Sequence, residues 1–402
     1  MISVSLPDIG AFATAALACI GVGQASAGWL CVERFAARAR LSPANNPLPP
    51  ITVLKPLYGD EPLLEEGLTT FCQQDYPDWQ IVFGVQSPSD PAIQVVERLQ
   101  ARFPKLDIDL VIDSRDHGPN RKVGNLINMF PAARHDILVI ADSDLLVRPD
   151  YLRNLVEALE KPTVGLVTTL YAGLPAEASL ASSLGATQIT HCFLPGALLA
   201  RSMGRSDCLG ATMCLRRETL AAIGGLHALV PHLADDNVLG LRVSALGLKV
   251  TLATTIPLTV VPETTLGPLY SHELRWSRTI RALVPAAHAA SALQYPLFWA
   301  AMAMCLSGFA VWSVGLFGLV WVGRALAGAG IDRALGGFLP GLEFSCPVWL
   351  LPLRDALSIV VLLAGHAGSK VEWRGHGLYA DTPPPPDTQI SEFRPAEGLR
   401  PR

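Results

Sequence analysis

A run of five apolar residues, Ile137–Ala141, leads directly into Asp142-Ser143-Asp144, and this segment constrains the fold most. The run is short, aliphatic and β-branched, which is typical of a parallel-sheet strand buried on both faces. Ligands of open α/β sheets bind outside the carboxyl ends of the strands. Asp142 and Asp144 would point the same way in extended backbone. Two such carboxylates suit Mg²⁺ or Mn²⁺ carrying a diphosphate, whereas a solvated turn is the simpler alternative.

Strand-like and helix-like segments alternate around this run. Further strands are predicted at 51–57, 80–85, 107–112 and 164–169, and helices at 61–71, 92–102, from 119, at 215–223 and from 235 to 246. This alternation predicts right-handed βαβ units and a mostly parallel sheet. The sequence contains neither a Gly-x-Gly-x-x-Gly nor a P-loop motif, so we expect no dinucleotide cofactor and no P-loop chemistry.

The composition places part of the chain in lipid. Half of the residues are hydrophobic, only 16% are charged, and the mean hydropathy is +0.34. A soluble domain has about 25% charged residues. The net charge of −4 and the lack of a basic block argue against a nucleic-acid partner. The eight cysteines form no Cys-x-x-Cys pair, and we interpret them as reduced thiols.

Three uncharged or nearly uncharged stretches predict membrane spans. The first, 9–31, precedes Arg34, Arg38 and Arg40, and this basic flank predicts a cytoplasmic side after the span. A cleaved signal peptide fits less well, because its basic residues would precede the apolar run. The other spans are predicted at 296–322 and 347–365. A further apolar stretch, 179–204, is too interrupted for a span and predicts an interfacial helix.

Four motifs occur in order along the chain: Asp90 in Val85-Gln86-Ser87-Pro88-Ser89-Asp90, then Asp142-Ser143-Asp144, then Ala234-Asp235-Asp236-Asn237, and finally His272-Glu273-Leu274-Arg275-Trp276. Together they resemble the ceramide glucosyltransferase-like family, and within it the hopanoid biosynthesis-associated branch. The resemblance runs from about residue 52 to 281 and returns weakly near 354 and 372–374. It implies an inverting GT-A glycosyltransferase, an α/β fold with a Rossmann-like sheet, anchored by N-terminal and C-terminal transmembrane helices.

The resemblance also implies roles for single residues. Asp236 would be the general base, and Asp142 and Asp144 would hold a divalent metal, Mg²⁺ or Mn²⁺, and the diphosphate. Asp90 would contact the uracil of a UDP-sugar, although an Asp before Pro91 is also a common helix cap.

Other matches are smaller. Lys55 and Pro56 resemble the start of the uridine pocket, and Lys122 is either a phosphate contact or a surface lysine. Residues 208–214 resemble a loop on the acceptor side.

The last motif departs from the family at its first position, where His272 stands in place of Gln or Arg. His272 would hold the acceptor or the diphosphate, Arg275 could bind phosphate oxygens through two hydrogen bonds, and Trp276 would form an apolar wall. His191 is either an acceptor-site residue or an ordinary interface histidine.

The implied function is transfer of N-acetylglucosamine from UDP-N-acetylglucosamine to the hopanoid lipid bacteriohopanetetrol. The alternatives are a ceramide glucosyltransferase using UDP-glucose, a processive polysaccharide synthase, for which three spans offer little channel material, and a non-enzymatic relative, against which the intact acidic motifs argue.

The expected organisation is an N-terminal anchor (1–40), a GT-A domain facing the cytoplasm with interfacial segments (41–290), a C-terminal membrane region (291–370) and a cytoplasmic, partly disordered tail (371–402). The expected location is the bacterial inner membrane.

Overall fold

The computed structural model describes residues 6–39, 48–336, 346–373 and 376–379. Residues 40–47, and the part of the predicted tail beyond 379, lie outside these residues. The described chain forms two compact units. One, the α/β unit, lies within 41–176 and 204–262, and the other, the helical unit, lies within 1–40, 177–203 and 263–381.

The strands, in chain order, are β1 Ile51–Pro56, β2 Trp79–Val85, β3 Asp107–Ile112, β4 Ile137–Ala141, β5 Leu145–Leu146, β6 Val164–Thr168, β7 Ala172–Pro175, β8 Thr212–Arg216, β9 Lys249–Leu252, β10 Leu258–Val261, β11 Lys370–Trp373 and β12 His376–Tyr379. The α-helices are α1 Leu6–Ala39, α2 Leu64–Cys72, α3 Ala92–Arg102, α4 Arg121–Met129, α5 Tyr151–Leu159, α6 Leu180–Gln188, α7 Leu194–Ser202, α8 Arg217–Ala222, α9 Asp235–Ala245, α10 Leu266–Leu283, α11 Pro285–Ala290, α12 Pro296–Leu306, α13 Val311–Gly336 and α14 Leu351–His366.

The α/β unit is built on a seven-stranded sheet in the order β3-β2-β1-β4-β8-β6-β9. The pairs β1–β2, β2–β3, β1–β4 and β6–β9 are parallel, and only β8 runs antiparallel to its neighbours β4 and β6. A small second sheet has the order β5-β10-β7. The predicted α/β fold class with a mostly parallel sheet is therefore confirmed.

Strand β4 lies at the centre of this unit, and its alternate residues feed two hydrophobic cores. Ile137, Val139 and Ala141 pack into one core, while Leu138 and Ile140 pack into the other. Both faces of the strand are covered, which is why its sequence is apolar throughout instead of alternating. The prediction of a strand buried on both faces is confirmed.

Two local predictions in this unit are wrong. Residues 212–216 form strand β8, and the helix predicted over 215–223 begins only at Arg217. The strand has an apolar, helix-compatible sequence, and its pairing with β4 and β6 decides its conformation. In addition, Asp142-Ser143-Asp144 is a tight turn between β4 and β5, so a turn, not a strand pleat, brings the two carboxylates together.

The helical unit contains three helical stretches that are long and apolar enough to cross a membrane: Pro7–Arg38, Val311–Gly336 and Val348–His366. The helices Pro285–Gln294 and Pro296–Leu306 pass the same test only as a pair, bent by 67°. The predicted span at 296–322 is therefore wrong in its bounds. The chain turns at Gly308 and Phe309, both of which have positive φ angles of 61°, so a new helix begins at Val311.

The interrupted apolar stretch 179–204 forms α6, a π-helical turn at Ile189–Phe193, and α7. Small residues let these helices pack closely with others of the unit: a Cβ added to Gly28 of α1 would lie 2.9 Å from Pro195. Small residues at helix interfaces are typical of membrane helix bundles.

Candidate active site in the α/β unit

Four carboxylates gather near the carboxyl end of β4. Asp142 and Asp144 occupy the turn after that strand, and Asp235 and Asp236 begin helix α9. The electrostatic influence of Asp142 reaches Asp144, Asp235 and Asp236, which places all four carboxylates in one neighbourhood. The sequence-predicted residues Asp142, Asp144 and Asp236 are therefore brought together.

Lys122 connects the two pairs of carboxylates. Its Nζ lies 2.6 Å from Asp142 Oδ1 and donates a hydrogen bond of 3.3 Å to the carbonyl oxygen of Gly210. Burial lowers the pKa of Lys122, but Asp142 and Asp235 more than offset this and raise it above its ordinary value. Lys122 is therefore a permanent cation inside the acidic cluster, with only 16% of its side chain exposed, and its contact with a phosphate stays a prediction.

Lys55, in β1, is the second lysine of the cluster. It is fully buried, its Nζ lies 3.7 Å from the centre of the Phe71 ring, and it donates to the main-chain carbonyl of Asp142. Burial lowers the pKa of Lys55 to about 7, although Asp144 and Asp142 oppose this shift. Its hydrogen bond fixes the turn that carries Asp142, while Pro56 follows it and pairs in register with Gly84 of β2.

Asp144 is held by the second sheet. Thr259 of β10 donates a hydrogen bond of 2.6 Å to Asp144 Oδ2, and the Val260 amide donates to the Asp144 carbonyl. Burial, and then the negative charge of Asp142, raise the pKa of Asp144 to about 6. Because the charge of Asp142 disfavours the ionisation of Asp144, an additional cation would be stabilised next to these carboxylates.

Asp236 lies in the first turn of α9, where the helix dipole favours a carboxylate. Its Oδ1 accepts a hydrogen bond of 2.8 Å from the Asn237 amide, and a Cβ added to Gly210 would lie only 2.9 Å from its Oδ2. Burial, followed by the charge of Asp235, raises the pKa of Asp236 to about 7. A carboxyl group with such a pKa can exchange protons near neutral pH, as a general base must.

Asp90 performs the structural role that the sequence also allowed. Its carboxylate accepts hydrogen bonds from the amides of Ala92, at the start of α3, and of Gly59, in the loop after β1. These bonds fasten the loop that follows Lys55 and Pro56 to the start of α3. A contact of Asp90 with a uracil base stays a prediction.

The fourth motif lies on α10, in the helical unit. His272 Nδ1 is hydrogen-bonded to Glu263, and the His272 ring meets Trp276, one turn further on, at 4.4 Å between ring centres. Glu273 forms a two-bond ion pair with Arg354 of α14, with both distances at 2.7 Å. The helix is thus held rigidly within its own unit. The roles of His272, Arg275 and Trp276 stay predictions.

Several contributors to the cluster were not predicted from the sequence. Glu61, in the loop before α2, acts electrostatically on Asp144 and Lys55, and the half-buried Tyr171 lies within the influence of Asp236, Asp142 and Asp144. Asn120, the N-cap of α4, donates a hydrogen bond of 3.1 Å to Asp235 Oδ1. The Pro-Asn pair before α4 was a visible capping signal, whereas Glu61 and Tyr171 carry no motif.

Comparison with known proteins identifies the family. The profile of glycosyl transferase family 21 matches residues 13–382, which is most of the chain. The chain belongs to glycosyl transferase family 21. The match includes every motif discussed above, so the carboxylate cluster of the α/β unit is the candidate active site of a family 21 protein.

Individual relatives agree with this assignment. The chain is 23% identical to ceramide glucosyltransferase 1 of Caenorhabditis elegans over 242 residues, 59% of this chain and 51% of the relative. It is 36% identical to the ceramide glucosyltransferase of Komagataella phaffii over 138 residues, 32% of this chain and 26% of the relative. The matches thus span about half or less of the curated relatives' length. Among solved structures, mannosyltransferase PcManGT of Pyrobaculum calidifontis, in complex with GDP-Man and Mn²⁺, aligns at 19% identity and a TM-score of 0.48, covering 87% of this chain and 99% of that one.

Proposed function

We propose that this family 21 protein is a membrane-bound, inverting glycosyltransferase that transfers glucose from UDP-glucose to the hydroxyl group of ceramide. The observation that carries the proposal is the cluster of Asp142, Asp144, Asp235 and Asp236 around Lys122 at the carboxyl end of β4. It combines groups suited to a diphosphate with a carboxylate suited to accepting a proton.

The choice of ceramide departs from the hopanoid expected from the sequence. The two curated relatives described above are named for glucosyl transfer to ceramide, and they favour that alternative. The acidic motifs are shared by both branches and do not separate a hopanoid from a sphingolipid, or glucose from N-acetylglucosamine. The hopanoid reaction is therefore kept as a competing outcome of the test.

Charged residues of the cluster support the proposed binding of the UDP-sugar donor. Asp142 and Asp144 offer the oxygen ligands that Mg²⁺ and Mn²⁺ prefer. A bound cation would also relieve the repulsion by Asp142 that contributes to the raised pKa of Asp144. When bound there, the metal would neutralise charge developing on the departing diphosphate. Lys122 lies within the same cluster and would bind a phosphate oxygen as a point charge, in exchange for part of its contact with Asp142.

Asp236 supports the proposed deprotonation of the acceptor hydroxyl. In an inverting transfer the acceptor hydroxyl oxygen forms a bond to the anomeric carbon while the bond from that carbon to the UDP oxygen breaks. The hydroxyl proton must leave during this step, and Asp236 would receive it. Its pKa of about 7 gives the carboxylate more basicity than an ordinary aspartate while leaving it largely ionised slightly above neutrality.

The three apolar helical stretches fit an acceptor that stays in a bilayer. A lipid with two hydrocarbon chains would remain in the membrane while its head group reaches the enzyme. The basic residues near the C-terminal end of the first apolar helix, Arg34 and Arg38, favour a cytoplasmic position for the α/β unit, where UDP-sugars would be available.

The test is a product analysis with purified full-length protein in detergent or nanodiscs. UDP-glucose and UDP-N-acetylglucosamine would each be offered with ceramide or bacteriohopanetetrol, with Mg²⁺ or Mn²⁺, and the lipids would be measured by mass spectrometry. The Asp236→Asn variant is the negative control. A hexose added to ceramide, absent from the control, is the expected result.

Other products would change the proposal in defined ways. An N-acetylhexosamine on bacteriohopanetetrol would restore the hopanoid reaction and discard ceramide. A long polymer without a glycolipid would indicate a polysaccharide synthase. UDP release equal in wild type and Asp236→Asn, with no lipid product, would contradict glycosyl transfer by this site.

A further inference from the structure

The helical unit contains a second cluster of chemically reactive side chains, which the proposed reaction does not use. His191, Asp332 and Cys346 each offer one possible ligand atom, a ring nitrogen, a carboxylate oxygen and a thiol sulfur, and these atoms lie within 4.8 Å of one another. The side chains of His191 and Asp332 are buried, with 4% and 7% of their surface exposed, and Cys346 is partly buried.

Three separate segments supply the cluster. His191 lies in the π-helical turn Ile189–Phe193 between α6 and α7, Asp332 lies near the end of α13, and Cys346 precedes α14. π-Helical turns occur frequently at functional sites, because the extra residue redirects a side chain.

Gly328, one helical turn before Asp332, makes room for the cluster. A Cβ at this position would lie 2.4 Å from Cys346 Sγ and 3.9 Å from His191 Cδ2. The first distance is a clash and the second is an ordinary contact, so the glycine makes room for the Cys346 thiol on this face of α13. The thiol and the imidazole therefore meet next to the carboxylate of Asp332.

Two buried polar atoms of the cluster lack a hydrogen-bond partner among the described residues. His191 Nε2 and Asp332 Oδ1 are 2.6 Å apart and satisfy each other. The remaining atoms of the pair, His191 Nδ1 and Asp332 Oδ2, are buried and have no hydrogen-bond partner among the described residues. Buried polar atoms without partners cost about 1–3 kcal/mol each, so a histidine–aspartate pair alone does not account for the arrangement.

We propose that His191, Asp332 and Cys346 bind a Zn²⁺ ion. Imidazole nitrogen, carboxylate oxygen and thiolate sulfur form a ligand set typical of zinc, whereas Mg²⁺ and Ca²⁺ prefer oxygen ligands alone. Zinc is commonly four-coordinate, so three protein ligands leave one position for water or another ligand. The bound ion would neutralise the buried carboxylate and tie together α13 and the segments that precede α7 and α14.

The proposal is tested with purified full-length protein, using Zn²⁺ and Co²⁺ themselves as probes. After exchange into Mg²⁺-containing buffer with a weak chelator, elemental analysis is expected to find one Zn²⁺ retained per chain. Substitution with Co²⁺ is expected to produce the charge-transfer band of a cobalt–thiolate bond. The carboxylate cluster of the α/β unit contributes no thiolate, so this band reports the new site.

Matched variants identify the ligands. Cys346→Ser is expected to lose the cobalt–thiolate band, while Cys305→Ser, which alters an exposed cysteine of α12, retains it. Asp144→Ala, in the α/β unit, is expected to retain it as well. Asp332→Asn should keep a thiolate band but bind Co²⁺ at least tenfold more weakly, in the range seen when metal-site partners are altered.

The decisive negative result needs no variant. Wild-type protein that retains no Zn²⁺, gives no cobalt–thiolate band on titration and shows no change in its thermal unfolding temperature on adding Zn²⁺ would overturn the proposal. His191 and Asp332 would then be a structural pair. A band that persists in Cys346→Ser would equally overturn it, because another cysteine would be the ligand.

Discussion

The Arg354–Glu273 pair of the helical unit and the carboxylate cluster of the α/β unit bury charged groups in opposite ways. In the helical unit, Arg354 is fully buried and meets both carboxylate oxygens of Glu273, so each charge has its counterpart. In the α/β unit, four carboxylates share the neighbourhood of two lysines. Burial, and then the neighbouring carboxylates, raise the pKa values of Asp144 and Asp236. Removing one partner of a buried ion pair is strongly destabilising, whereas clustered carboxylates with raised pKa values are typical of sites that bind a ligand or transfer a proton.

The largest effect is expected from Asp236→Asn, which removes the proposed base without changing the shape of the side chain. Transfer should fall by roughly 10³-fold, because the amide cannot accept the hydroxyl proton, while UDP affinity stays nearly unchanged. Turnover by product mass spectrometry and UDP binding by calorimetry measure the two quantities. Asp78→Asn, an exposed aspartate, is the matched control. Wild-type turnover in Asp236→Asn would remove Asp236 from the mechanism.

The variant Arg354→Met removes the positive charge of the buried Arg354–Glu273 ion pair. This variant leaves Glu273 buried without its partner and should destabilise the protein by about 3–5 kcal/mol, seen as a lower thermal unfolding temperature. The double variant Arg354→Met with Glu273→Gln should recover much of this loss. As a control, Arg98→Met breaks the exposed pair with Glu65 and should have little effect. Equal destabilisation by the single and the double variant would show that lost packing, not the unpaired charge, is responsible.

The metal interpretation of the acidic cluster is tested by Asp144→Ala. If Asp144 is a metal ligand, the variant should bind UDP at least roughly tenfold more weakly in the presence of Mg²⁺ or Mn²⁺, with a smaller change when the metal is chelated. Calorimetric titrations with and without metal give the comparison. Unchanged UDP affinity in the presence of metal would contradict the metal site.

Gly210→Ala is expected to displace the carboxylate of Asp236, the proposed base, while leaving that residue in place. The added Cβ would lie 2.9 Å from Asp236 Oδ2, so the carboxylate must move, and a small displacement of a catalytic group costs roughly tenfold or more in turnover. Gly267→Ala, where a Cβ meets nothing within 4 Å, is the control. The unfolding temperature should be unchanged in both variants. Full activity in Gly210→Ala would mean that the position of this oxygen is not critical.

The smallest expected effect is a shift in the pH dependence of kcat/KM. Because Asp236 must be ionised to accept a proton, kcat/KM should decline as the pH falls through about 7. Burial and then Asp235 raise this pKa, so Asp235→Asn removes one cause and should move the acidic limb to lower pH. The pH profile of kcat/KM for both proteins measures this shift. If the acidic limb of the profile stays in place or moves to higher pH in Asp235→Asn, a group other than Asp236 is responsible for it.

Much of the α/β unit could be predicted from the sequence because its signals are local. The strands at 107–112 and 137–141 and the helix at 92–102 were predicted with the bounds that the structure shows. The acidic motifs and their family resemblance are enough to indicate Asp142, Asp144 and Asp236. Strand β8 could not be predicted, since its antiparallel place between β4 and β6 depends on residues far away in the chain.

The sequence by itself determined where the apolar strands end and which carboxylates follow them, because burial demands apolar residues and chemistry demands acidic ones. Only the tertiary structure decided the electrostatics. It placed Lys122 between the two pairs of carboxylates, buried Lys55 beneath the Asp142 turn, and joined His191 to Asp332 and Cys346 across more than 140 residues. A pKa depends on burial and on neighbouring charges, and both are properties of the folded chain.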